Sequence, residues 1–183
     1  MNIGNWIDPF RPANGPPPQM LGAFMRWCLS GAWPALWLAA ALSAAAGVLE
    51  AGTALILGWV IDATAASGPD GFFDGRNLMM IMFAIGFFLI ARPLFFALSA
   101  GANAIIVQPN VNPLVLSRLH RWSLGQNVTF FDDDFAGRIA QKQMQTARAV
   151  TDVASEFINV VAFALASLVG SVLLLTAING WVA

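Results

Sequence analysis

The sequence has little charge, one cysteine, one histidine and one lysine, and each scarcity removes a class of function. Nine Lys plus Arg stand against ten Asp plus Glu, so 10% of the 183 residues are charged and the formal net charge is −1. A soluble domain carries roughly a quarter of its residues as charged side chains. No basic field exists to draw nucleic acid or an acidic surface, so no nucleic-acid partner is expected. Cys28 cannot form an internal disulfide, and His120 has no cysteine or second histidine with which to build a metal site. Lys142 is followed by Gln143, so the chain holds no Gly-x-x-x-x-Gly-Lys-Ser/Thr segment whose amides and lysine would cradle phosphates. ATP hydrolysis by that route is therefore excluded for this chain, and no cofactor or metal is expected in it.

What is abundant is apolar. Hydrophobic residues make up 58% of the chain and the mean hydropathy is +0.68. Uncharged runs cover 27–49, continued after Glu50 by 51–61, then 77–117 with an arginine inside, and 157–183. A bilayer core requires about 20 apolar residues in helix. The expected class is an all-α membrane protein with three transmembrane helices, at about 33–61, 78–107 and 153–177. Residues 33–43 with Ala44-Ala45-Ala46 resemble a signal peptide, but a 32-residue lead-in and the further apolar run to Ile61 favour a retained helix.

Residues 1–18, rich in Pro and Gly, are expected to be a disordered cytoplasmic tail. Residues 19–31 read as an interfacial helix, with Met20, Leu21, Phe24, Trp27 and Cys28 on one face. The alternative is that they begin a longer first span, which Gly31 and Pro34 would interrupt. Arg11 and Arg26 precede the first span, and Arg118, Arg121, Arg138, Lys142 and Arg148 lie between the second and third; the first connection holds Arg76 alone. That bias predicts a cytoplasmic N-terminus. Trp33, Trp37, Trp59 and Trp181 stand where interfacial anchors are expected.

From Arg138 to Ala177 there is no proline, a helix of about 60 Å at 1.5 Å per residue and roughly twice a bilayer core. Its polar first half is expected to project into the cytoplasm. The second helix is expected to do likewise, from Leu78 towards Leu124, kinked by Pro93, Pro109 and Pro113. Between them residues 125–138 form a turn. Asp132, Asp133 and Asp134 there would cap the next helix and oppose its dipole. Phe130, Phe131 and Phe135 at a solvent-facing tip have no such account and point to a docked partner.

Phe130-Phe131-Asp132 followed by Gly137-Arg138-Ile139 and an amphipathic lead into an apolar helix resembles the first intracellular loop of type I ABC exporters. The layout over 19–183 is similar to the N-terminal half of that family's six-helix transmembrane domain. The resemblance implies an elbow helix at 19–31, a partial transmembrane domain at 32–183, and a coupling helix at about 125–138 that docks on a nucleotide-binding domain. Phe130, Phe131, Asp132, Asp133, Asp134, Phe135, Gly137 and Arg138 would then be the coupling residues. It implies an ATP-driven transporter using ATP and Mg in its full-length form, a homodimer or heterodimer in a lipid bilayer, in a bacterial inner membrane. Two positions depart from the family: Lys142 and Thr146 stand where an Arg and an Asp are common. The chain stops after the third span, where the family continues with three more helices, so it is expected to be a fragment.

Two charges fall inside the spans. Glu50 lies roughly 16 Å below Ile61 and Arg92 roughly 21 Å below Leu78, so an antiparallel pair of helices would let them meet as an intramembrane ion pair. Such a pair would fix helix register or line a pathway. Small residues recur every four as Ser43, Gly47, Ala51 and as Ala162, Ala166, Gly170, which permits close helix contact. Competing with a transport component is a free-standing three-helix structural or regulatory protein that binds a partner transporter. An intramembrane enzyme would need a paired nucleophile and base, which Glu50 and Arg92 do not supply.

Overall fold

The computed structural model describes residues 6–71, 75–132 and 135–178. Every regular element among them is helical: α1 (Leu21–Leu29), α2 (Trp33–Gly71), α3 (Gly75–Gly86), α4 (Arg92–Gly101), α5 (Gln108–Leu124), α6 (Val128–Asp132), α7 (Ala136–Glu156) and α8 (Phe163–Ile178). Wider π-helical segments at Phe87–Ala91, Ala102–Val107 and Phe157–Ala162 join α3 to α4, α4 to α5 and α7 to α8. Three helical stretches, Trp33–Gly68, Asn77–Leu124 and Ala136–Ala177, are long and apolar enough to cross a membrane. The most apolar 18 residues of the third include no buried residue. Apolar surface exposed on that scale requires lipid or protein to cover it.

Two of the π segments have a visible cause. Proline lacks an N–H and its ring collides with the carbonyl four residues back. For Pro93 that carbonyl is Leu89 and for Pro109 it is Ile105, both inside a π segment whose wider turn relieves the collision. The second helix thus continues through Pro93 and Pro109, and Pro113 lies inside α5.

The described residues divide into two compact units, residues up to Ala39 with Gly101–Ile158, and Ala40–Ala100 with residues from Asn159 on. In the first, Val111, Leu114 and Val115 of α5 and Ala147, Val150 and Ala154 of α7 are buried as these two helices pack together, and Gln143 Nε2 donates to Ser123 Oγ at 2.7 Å. The part of the expected free tail that is described, residues 6–18, is held against this unit. Ile7 is 1% exposed, and Ser117 Oγ donates to the Pro9 carbonyl at 2.9 Å. Trp27 Nε1 donates to the Asn14 and Gly15 carbonyls at 3.3 Å. Low apolar content argued against autonomous folding, but it does not prevent docking by backbone carbonyls.

Arg118 organises this corner. It is 2% exposed, and its guanidinium donates to the carbonyls of Arg11 (3.1 Å), Trp27 (2.7 Å), Cys28 (2.9 Å) and Ser30 (2.6 Å) and to Ser30 Oγ (2.9 Å). The last carbonyls of a helix lack intrahelical donors and carry the negative end of its dipole. One cation therefore caps α1 and ties it to α5 and to the N-terminal segment. Gly31, at φ 87°, turns the chain beside it, and a Cβ there would lie 2.9 Å from Arg11 Cδ.

In the second unit α2 and α8 approach through the small-residue rows. A Cβ on Gly47 would collide with the Phe163 carbonyl oxygen and lie 3.2 Å from the Ser167 nitrogen; one on Gly170 would lie 3.1 Å from the Ala51 Cβ. A backbone carbonyl cannot move aside cheaply. Gly47→Ala is expected to destabilise by about 1–3 kcal/mol through overpacking. Gly58→Ala, with nothing within 4 Å, is expected to be neutral or slightly stabilising. Thermal aggregation in detergent checks both, and equal behaviour of the two variants would remove the close contact.

Burial pushes the Cys28 thiol up from its ordinary value near 9 to about 12, against a smaller opposing pull from Arg118. The unfolded chain then loses this proton at lower pH than the folded one. The contribution to stability is full below pH 9 and is lost as pH rises from about 9 towards about 12. Cys28→Ser is expected to flatten that alkaline decline, read as melting temperature against pH.

Candidate functional site

Two groups of residues singled out from the sequence are built as follows. The first is the tip after α5. Asn127 begins α6, its Oδ1 accepting the Phe130 N–H at 3.1 Å. A short helix over 128–132 thus occupies the turn between the two long helices. Phe130 sits edge-on to Trp122, with ring centroids 6.2 Å apart, and edge-on to Phe131 at 5.2 Å. Such T-shaped pairs bring the positive edge of one ring to the negative face of the next. Phe131 is 40% exposed and Phe135 78% exposed. Arg138 lies over the Phe135 ring, 5.9 Å from its centroid.

The acidic residues fare differently. Asp132 is the last residue of α6, while Asp133 and Asp134 lie outside the described residues. The residue preceding α7 is Phe135, whose own side chain makes no cap, and the capping expected of Asp133 and Asp134 lies outside the described residues. Gly137 lies within the first turn of α7, with open space where a Cβ would stand. Its place in the sequence motif therefore has no steric account here.

Beside the tip is a groove of about 380 Å³ whose lining includes Phe24, Trp122, Phe130, Lys142, Gln143 and Thr146. Trp122 is the residue the sequence did not mark. It lies one helical turn beyond Arg118 and Leu119, and its ring pins α6 back onto α5. Arg118 was legible only as a charge counted for orientation. A signal for its burial existed, since Val111, Leu114, Val115 and Arg118 recur at helical spacing along the apolar face.

The second group is within the second unit. Glu50 on α2 and Arg92 at the start of α4 meet, Arg92 Nη2 donating to Glu50 Oε2 at 2.7 Å, with side chains 36% (Arg92) and 37% (Glu50) exposed. The Arg92 guanidinium also lies 5.8 Å from the Phe96 ring centroid, a cation–π distance. The π segment Phe87–Ala91 ends where Arg92 begins. The Phe87 ring lies beside Gly52, 3.6 Å from where a Cβ would stand, an ordinary contact distance. Chemically the tip is an aromatic contact surface, and the pair is an electrostatic clamp between two apolar helices.

Arg92→Ala and Glu50→Ala are each expected to destabilise by about 1–3 kcal/mol, less than the roughly 3–5 kcal/mol of a fully buried pair because a third of each side chain is exposed. The double variant is expected to lose less than the sum of the two. Membrane extraction and thermal aggregation assays read this. Additive losses would show that the two side chains do not support one another.

Along 179 residues the chain is 28% identical to an "Uncharacterized ABC transporter ATP-binding protein" of Haemophilus influenzae, over 97% of its own length and 29% of that protein's. The chain thus spans less than a third of that relative. No family model and no solved structure matches it. The likeness supports a relation to ABC transporters.

Proposed function

We propose that the chain forms membrane-spanning helices of an ATP-driven ABC exporter, in its N-terminal half, with α6 as the coupling helix to a nucleotide-binding domain. The observation that carries this reading is a likeness that runs along 97% of the chain yet covers 29% of an ABC transporter protein, which leaves the rest of that protein for other parts. Three helices able to span a membrane and a five-residue helix at the turn between the second and third support it. The residues of this chain do not fit nucleotide: Lys142 lies inside α7 and no glycine-rich loop precedes it. ATP and Mg would be held by the nucleotide-binding domain, and hydrolysis would belong to the full-length protein rather than to these helices. The Lys and Arg distribution supports a cytoplasmic N-terminus, and the bacterial source of the similar protein supports a bacterial inner membrane. The remaining transmembrane helices and a second half-transporter, identical or related, would cover the apolar faces left exposed.

The tip gives the test. Phe135, the most exposed ring there, is replaced by a photo-crosslinking phenylalanine analogue in the full-length protein, and membranes are irradiated with and without ATP. The expected adduct is with a nucleotide-binding domain, its yield changing at least about twofold with nucleotide, a shift of about 0.4 kcal/mol in contact population. An adduct with an unrelated membrane protein, insensitive to ATP, would instead indicate a regulatory subunit and overturn the exporter reading.

A further inference from the structure

Glu50 and Arg92 spend little of their hydrogen-bonding capacity on each other. One bond joins them, and among the described residues the second Glu50 oxygen and the Nε and Nη1 groups of Arg92 have no hydrogen-bond partner. Glutamate offers two acceptor oxygens and arginine five donors in a planar fork. About a third of each side chain is exposed. Glu50 stands 17 residues after Trp33 and 18 before Gly68, near the middle of the stretch able to span, which in a hydrocarbon core about 30 Å thick is about 15 Å from either headgroup layer.

An ion pair open to hydrocarbon at that depth is costly, and such residues face a cavity or a polar partner. The pair sums to zero charge. A lone anion drawn to Arg92 is repelled by Glu50, and a lone cation meets the reverse. A molecule bearing both charges satisfies both free edges. The surroundings are aromatic, with Phe96 over the guanidinium and Phe87 against Gly52, which suits an apolar body attached to such a head. The adjoining π segment is the kind of helix irregularity that recurs at functional sites, and it sets the direction of Arg92.

We propose that the half-open Glu50–Arg92 pair binds a zwitterionic group carried on an apolar body, the ammonium on the free Glu50 oxygen and the acidic oxygen on the free guanidinium edge. That the bound molecule is cargo rests on the transport reading; that it binds does not.

The test uses the full-length protein in maltoside micelles, whose headgroups are uncharged, with Ala54→Cys one helical turn from Glu50 as reporter. Labelling of that cysteine by a water-soluble methanethiosulfonate is timed with dodecylphosphocholine, dodecyl phosphate or dodecyltrimethylammonium present. Dodecylphosphocholine is expected to slow labelling about fivefold or more and the singly charged chains less than about twofold. Glycerophosphocholine, the same head without a chain, distinguishes a water-soluble ligand from a lipid, protecting in the first case and not in the second. Glu50→Gln and Arg92→Gln are each expected to abolish protection. Equal protection by all three chains, or protection that survives both Gln variants, would overturn the proposal. So would an Ala54→Cys that no reagent reaches, since protein would then cover the pair. If the Gln variants fail to fold, the headgroup ranking with the native pair decides alone. Headgroup-selective binding without ATP-driven movement would leave the site and remove the transport reading, and ATP-driven transport without selectivity would do the reverse.

Discussion

Backbone N–H and C=O groups that apolar side chains screen from water must find partners within the chain, and this constraint shapes the molecule from end to end. Helices meet it for most residues. Inside the helices, threonine hydroxyls at 53, 64, 151 and 176 find their own partners by donating to carbonyls four residues back. At the irregularities the chain uses specific devices. Prolines 93 and 109 are taken up by π turns. At the end of α1, where carbonyls would be left over, a single buried guanidinium collects them. Arg118 is thus less a charge than a bundle of donors delivered to a place with surplus acceptors.

Much of this was legible in the sequence. Apolar run length predicts the three long helices because a bilayer-scale span leaves few alternatives, and the absence of proline from 138 to 177 predicts a helix assigned over Ala136–Ala177. Small residues at four-residue spacing mark the α2–α8 approach, where Gly47 and Gly170 permit close contact by having no side chain. The docking of residues 6–18 was not legible, since it depends on carbonyls that every sequence has and on where Ser117 and Arg118 happen to point. Proline-rich composition reports poor self-association, and says nothing about a surface that supplies the donors. The continuity of the second helix was obscured for a related reason. Proline rules describe an α-helical turn, and a π turn changes the geometry on which they rest.

The two candidate regions differ in how their chemistry is held. At the tip, aromatic rings contact one another in sequence from Trp122 through Phe130 to Phe131, while Phe135 stays outside that series and exposed. A surface of this kind gains from exclusion of water and makes few directional demands. Glu50 and Arg92 depend on direction, with one short bond and a guanidinium seated near a ring. Motif reading found the tip by its spelling, whereas the pair was found by depth, from two charges at matching heights on helices of opposite sense.

A π turn can also be counted as one residue more than an α-helix needs to cover the same distance. Each residue turns the helix by about 100°, so the segment Phe87–Ala91 rotates everything after it relative to everything before. The face that α3 offers and the face that α4 offers are therefore out of phase with the sequence's own periodicity. Arg92, which meets Glu50, is the first residue after that turn. A chain one residue shorter there would keep its composition, its hydropathy and its span, and would carry its arginine a quarter-turn or more away from the only partner the helix brings within reach among the described residues.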